Sequence, residues 1–95
     1  MSKIVIALGG NALQSKDSAP TAQGQLSVIK KTCERIADIS QAGHELAIVH
    51  GNGPQIGRII LASETARDVT PVMPFDVCGA MSQGYIGYQI QQSLK

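Results

Sequence analysis

An apolar run, Leu46-Ala47-Ile48-Val49, stops abruptly at His50-Gly51-Asn52-Gly53-Pro54-Gln55, and few folds accept that succession. A short buried strand ends in a Gly-Asn-Gly turn, and a helix begins with proline in its first turn. Proline suits that position because the first N–H groups of a helix have no intrahelical partner. The N–H groups that remain, together with the helix dipole, make such a turn an anion site. A second turn of the same kind, Gly9-Gly10-Asn11, follows a second apolar strand, Lys3 to Leu8.

The segment between the two strands reads as one helix. Thr21 is a fair N-cap, and Leu26, Ile29, Cys33, Ile36 and Ile39 recur every three or four residues up to about Ala42. That spacing gives one apolar stripe, and Lys30, Lys31, Glu34, Arg35 and Asp38 mostly face water. Gly43 suits the position just past the helix end. Residues 9 to 20 read as a polar loop ending in Ser18-Ala19-Pro20. Strand, helix and strand form a βαβ unit, with parallel strands and a right-handed crossover. The first strand is continuously apolar and β-branched, as expected where a parallel strand is covered on both faces, and the second runs from about Glu45 to Val49. Both glycine turns then fall at the carboxyl edge of one sheet, where open α/β folds bind ligands.

Beyond the second turn, a helix is expected from about Pro54 to Ala66, then a loop from Arg67 to Pro74. A long helical pattern follows from about Asp76 to Lys95. Gly79, Gly84 and Gly87 lie inside it, which points to close approach of a neighbouring element or to a break near Gly84. Two parallel strands make a poor closed sheet, and no C-cap signal precedes Lys95. The expectation is an incomplete α/β domain, or one completed by another subunit.

Bulk properties exclude several functions. The chain has 95 residues, a formal net charge of +1 and 16% charged residues, so nothing marks a nucleic-acid or acidic-membrane partner. Its aromatics, Phe75, Tyr85 and Tyr88, are too few for base-stacking platforms. Cys33 and Cys78 lack metal-ligand spacing and read as reduced, buried thiols of a cytosolic chain. The apolar run after Lys3 is too short for a signal sequence or a membrane span.

The glycine turns fit neither common nucleotide loop. The first lacks G-x-G-x-x-G, and the second strand ends in His50-Gly51 rather than an acidic residue. No Gly-Lys-Ser/Thr follows, so there is no Walker A loop. Gly-Gly-Asn alone could be a tight turn. Two such turns on parallel strands, each with an asparagine, point to phosphate or acyl phosphate. Phosphoryl transfer needs positioned donors that neutralise oxygen charge, and glycine lets backbone N–H groups approach. An asparagine amide adds a neutral donor. His50 is either a catalytic base or a strand-end side chain with a local hydrogen bond. Lys16 is either a phosphate ligand or a solvated loop lysine. Ser82 and Gln83 are polar contacts on the final helix or packing groups.

Three stretches carry a resemblance: Val5 to Leu13 (VIALGGNAL), Ala47 to Gly57 (AIVHGNGPQIG) and Ser82 to Tyr88 (SQGYIGY). Together they resemble carbamate kinase, of the amino acid kinase superfamily, in order along essentially the whole chain. The resemblance implies that residues 1–95 are the amino-terminal part of such a domain. The implied fold is an α/β/α sandwich around an open, mainly parallel sheet. It implies a cytoplasmic homodimer that reversibly forms ATP and carbamate from ADP and carbamoyl phosphate with Mg2+. By that match Gly9, Gly10 and Asn11 lie at the transferred phosphoryl group, while Gly51, Asn52 and Gly53 hold the carbamate end. Asn11 and Asn52 are the catalytic candidates, and the final helix contributes to a dimer interface. Ala7 stands where carboxylate kinases of the superfamily carry lysine, which disfavours that rival. The family's later half, with its nucleotide pocket, catalytic lysines and aspartate, is not part of these residues. The first rival is an inactive fragment that binds an intact subunit, and a carboxylate kinase of the superfamily is the second.

Overall fold

The computed structural model describes residues 2–15 and 20–95. The elements are strand β1 (Lys3–Leu8), helix α1 (Gly10–Leu13), helix α2 (Ala22–Gln41), strand β2 (Glu45–His50), helix α3 (Gly53–Thr65) and helix α4 (Phe75–Leu94). The chain divides into two compact units: Met1–Gly51 with Tyr88–Lys95, and Asn52–Gly87.

In the first unit β1 and β2 pair in parallel, in register from Lys3 opposite Glu45 to Leu8 opposite His50. Side chains alternate across a strand. Ile4, Ile6 and Leu8 share the more buried face with Leu46, Ile48 and His50. The other face is open, with Val5 70% and Val49 50% exposed. The expectation of strands covered on both faces is corrected on this point. Apolar sequence fits a strand for burial on either face without supplying the layer that buries it.

The expected loop after β1 contains α1, a single helical turn of four residues. The Gly9 carbonyl accepts from Ala12 N–H at 3.1 Å, and the Gly10 carbonyl from Gln14 N–H at 2.8 Å. The turn places Leu13 in the core, 1% exposed. Lys16, Ser18 and Ala19 lie outside the described residues.

Helix α2 starts where its cap predicts, with Thr21 Oγ1 accepting from Gly24 N–H at 3.0 Å. It ends at Gly43, whose φ of +96° lies in the left-handed region that favours glycine. Ile29, Cys33 and Ile36 of the expected stripe are buried, while Leu26 and Ile39 are half-buried. The stripe extends one turn back to Gln25, a buried polar residue. Its Nε2 donates to Gln89 Oε1 at 2.9 Å, and Gln89 Nε2 donates to the Ala22 carbonyl at 2.9 Å. Thr32 Oγ1 donates to the Ala12 carbonyl at 2.7 Å and pins α1 to α2. Both cysteines are free and buried, as expected. Burial pushes the Cys33 thiol above its ordinary pKa, because the thiolate would lose its water.

In the second unit α3 begins at Gly53 with proline in its first turn. Met73 N–H donates to Ser63 Oγ at 2.8 Å and holds the connection to α4. Helix α4 runs without a break at Gly84. Only Gly79 among its glycines has a close neighbour, with Ile56 Cδ1 3.7 Å from where a Cβ would stand. The expected close approach therefore applies to Gly79; an added Cβ at Gly84 or Gly87 meets nothing within 4 Å. Among the described residues, no helix is long and apolar enough to cross a membrane.

Candidate active site

The first turn and the start of the second meet at the carboxyl edge of the sheet. Leu8 and His50 end the ladder opposite each other, and Gly51 N–H donates to the Leu8 carbonyl at 3.2 Å. Gly9 follows at once as the N-cap of α1, with φ −84° and ψ −173°. Asn11, in that short helix, is exposed. It lines an open groove of about 600 Å³ whose wall includes Ile6, Leu8 and Ile36 and which also carries Lys31 and Arg35. Two cations on the exposed side of α2 thus share a groove with the first turn.

Gly9, Gly10, Gly51 and Gly53 share one property. An added Cβ at any of them meets nothing within 4 Å, and Gly43 alone among the described glycines has positive φ. Neither packing among the described residues nor the left-handed backbone region asks for glycine at these four positions. The space a side chain would take is open.

Asn52 is the N-cap of α3, yet its side chain does not cap the helix. Its Nδ2 donates instead to Ser82 Oγ at 2.8 Å, and Ser82 Oγ–H donates to the Gly79 carbonyl at 2.6 Å. Ser82 is fully buried and Asn52 half-buried. The sequence placed Ser82 among possible polar contacts without a partner. The signal available was its place in the SQGYIGY stretch, one residue before exposed Gln83.

His50 Nδ1 lies 2.9 Å from the Gly51 carbonyl. A carbonyl only accepts, so Nδ1 is the donor in this contact. The local hydrogen bond named as the alternative to catalysis is therefore present. Lys16 lies outside the described residues. Gln55, in the first turn of α3, is buried at 1% exposure, which its place in that apolar-poor turn did not announce.

The described residues contain no group of three or more His, Cys, Asp or Glu that could hold a metal ion. Magnesium therefore has no carboxylate cradle among them. Among the described residues of the first unit, Asn11 shares its groove with the cations Lys31 and Arg35; Asn52 belongs to the second unit.

Known proteins resemble the chain along nearly its whole length. The chain is 50% identical over 96 residues to a carbamate kinase of Clostridium perfringens, covering 98% of this chain and 31% of that one. It is 47% identical to a carbamate kinase of Pyrococcus horikoshii, covering 98% and 30%. The fold superposes on carbamate kinase from Giardia lamblia bound to AMP-PNP with a TM-score of 0.92 and 41% identity, covering 98% of this chain and 32% of that one. The chain thus spans about 30% of the length of the curated relatives it matches. Residues 2–93 match the amino acid kinase family, and the chain belongs to that family.

Proposed function

We propose that residues 1–95 are the amino-terminal part of a carbamate kinase-like domain and carry its acyl-phosphate half. The reaction is reversible phosphoryl transfer between carbamoyl phosphate and ADP, giving carbamate and ATP, in the cytoplasm and in a homodimer. Gly9, Gly10 and Asn11 serve the transferred phosphoryl group. Gly51, Asn52 and Gly53 serve the carbamate end. Magnesium, when bound with the nucleotide, neutralises phosphate charge. The adenine nucleotide, and the lysines that neutralise the transition state, belong to the part of the family's length that these residues do not span.

The observation that carries this reading is the open space at four glycines that neither packing nor positive φ requires. A side chain there would obstruct only something that approaches from outside. Backbone donors that are already fixed stabilise developing oxygen charge without reorganising during the reaction.

The test is ATP formation from ADP, magnesium and carbamoyl phosphate, first with this chain after circular dichroism shows it folded. Turnover by the folded chain supports the activity and shows that the nucleotide site is completed within these residues or by self-association. A folded but silent chain is next measured as part of a complete kinase that carries these residues. Silence there too would overturn the assignment. Preferential turnover of an amino-acid carboxylate would replace carbamate as the substrate.

A further inference from the structure

The asparagine of the second turn is held by a residue thirty positions away that the reading above gives no task. A primary amide has two faces of opposite polarity, and a neighbour that can both donate and accept does not choose between them. A serine hydroxyl is such a neighbour, unless its proton is already committed. In this protein it is. Ser82 Oγ lies 2.6 Å from the Gly79 carbonyl oxygen. Two oxygens that close repel unless a proton stands between them, and the carbonyl has none to give. The Ser82 proton therefore points at Gly79, and Ser82 Oγ can only accept from Asn52.

We propose that Ser82 is a positioning residue for Asn52: the Gly79–Ser82–Asn52 relay fixes the polarity of the Asn52 amide, leaving its Oδ1 and one N–H for a carbamoyl group. The relay runs in one direction, from Asn52 Nδ2–H to Ser82 Oγ and from Ser82 Oγ–H to the Gly79 carbonyl. All three residues lie in the unit Asn52–Gly87. Ser82 is fully buried, so water does not compete for its oxygen. Asn52 is only half-buried, so the rest of its amide can meet a ligand.

The chemistry of the remaining edge selects a substrate class. A carbamoyl group is an amino group on a carbonyl carbon. It offers an N–H to Oδ1 and a carbonyl oxygen to the remaining N–H. An acetyl or carboxylate group offers acceptors alone and faces Oδ1 without a proton. A flipped amide would lose this distinction. The specificity consequence rests on the carbamate kinase-like reading; the relay itself does not.

Two measurements test it. The first is NMR of the 15N-labelled chain, with the Asn52 side-chain amide assigned by its loss in Asn52→Ala. Ser82→Ala should move the Asn52 Nδ2 proton signals and speed their exchange with water. Alanine is a better helix former than serine, and the Gly79 carbonyl keeps its place in α4, so the variant folds. Unchanged Asn52 signals in folded Ser82→Ala overturn the relay.

The second is a double-mutant cycle, assayed with carbamoyl phosphate, in a complete kinase that carries these residues. Ser82→Ala should lower its kcat/KM about tenfold and shrink the preference for carbamoyl over acetyl phosphate by a similar factor, as loss of one hydrogen bond does. In the Asn52→Ala background the same change should cost nothing further, because Ser82 acts through Asn52. Equal losses in both backgrounds, with the preference unchanged, would overturn the positioning role while leaving the proposed function intact. Moved Asn52 signals with no turnover in any variant would overturn the proposed function and leave the relay standing.

Discussion

Two turns written in almost the same letters, Gly9-Gly10-Asn11 and Gly51-Asn52-Gly53, obtain their order in different ways. The first opens into a single helical turn, and its asparagine is exposed. Thr32 holds that helical turn from α2 through the backbone of Ala12, and the Gly9 and Gly10 carbonyls close it with backbone bonds. The second opens into a helix of thirteen residues, and its asparagine is tied by its side chain to buried Ser82. The lesson is that a glycine turn describes where a ligand can approach, while the residues that fix its polar groups sit elsewhere in the sequence. In the second turn, that residue is on α4.

The largest effect expected from this contrast is at the tied asparagine. Asn52→Ala should cut turnover by about 10²-fold or more, as loss of an oxyanion donor does, with the circular dichroism spectrum unchanged. Near-normal turnover would remove Asn52 from the mechanism and leave the two turns without a functional difference.

The glycines themselves are the next test. Gly9→Ala and Gly51→Ala should leave the thermal midpoint unchanged, since the added Cβ meets nothing within 4 Å and neither residue has positive φ. Turnover should fall by about tenfold or more, because displacing a bound group by even ~1 Å is costly. A lowered midpoint with full activity would make these turns structural and erase the argument built on them.

Gly43 is the internal control. Its φ is +96°, so Gly43→Ala should destabilise by about 1 kcal/mol in urea unfolding and leave turnover per folded molecule unchanged. A neutral result would mean that backbone strain is absorbed locally, and the separation of required from unrequired glycines would weaken.

The smallest effect distinguishes the units. Burial raises the Cys33 thiol pKa in the folded first unit above the ordinary 9.0. A folded pKa above the unfolded one means that unfolding releases a proton in that window. The stabilisation is intact below 9.0 and declines as the pH rises from there through the folded value. The urea midpoint should therefore slope downward above pH 9.0, and Cys33→Ala should flatten that slope. An equal slope in the variant would place the alkaline sensitivity elsewhere.

Sequence legibility followed the strength of periodic signals. β1 has the expected bounds, and the α2 cap at Thr21 and the exit at Gly43 are both present, because each is a local backbone requirement. Helix α1 was not legible. Gly10 and Asn11 are poor helix formers, and one turn has too few residues for a period. The open sheet face was not legible either, since Val5 and Val49 report tolerance for burial rather than burial itself. Buried Gln25 sits on the same stripe as Ile29 and Cys33, but its bond to Gln89 spans 64 residues and leaves no local trace. Within the candidate site, the glycines and asparagines were visible as a motif. The Asn52–Ser82 bond was not, because a hydrogen-bond partner thirty residues away has no spacing rule.

The bond from Gln25 to Gln89 also sets an order of events in time. The first unit is discontinuous in sequence, with Asn52–Gly87 made between its two pieces. As the chain leaves a ribosome, the sheet and α2 are complete long before Ile90 and Gln89 exist to join them. Closing that loop costs entropy before any contact repays it. The second unit, whose contacts are nearer in sequence, has no such wait. The last turns of α4 therefore act as a clasp on the earliest part of the chain, and the core around Cys33 and Ile29 becomes fully formed only once they are made.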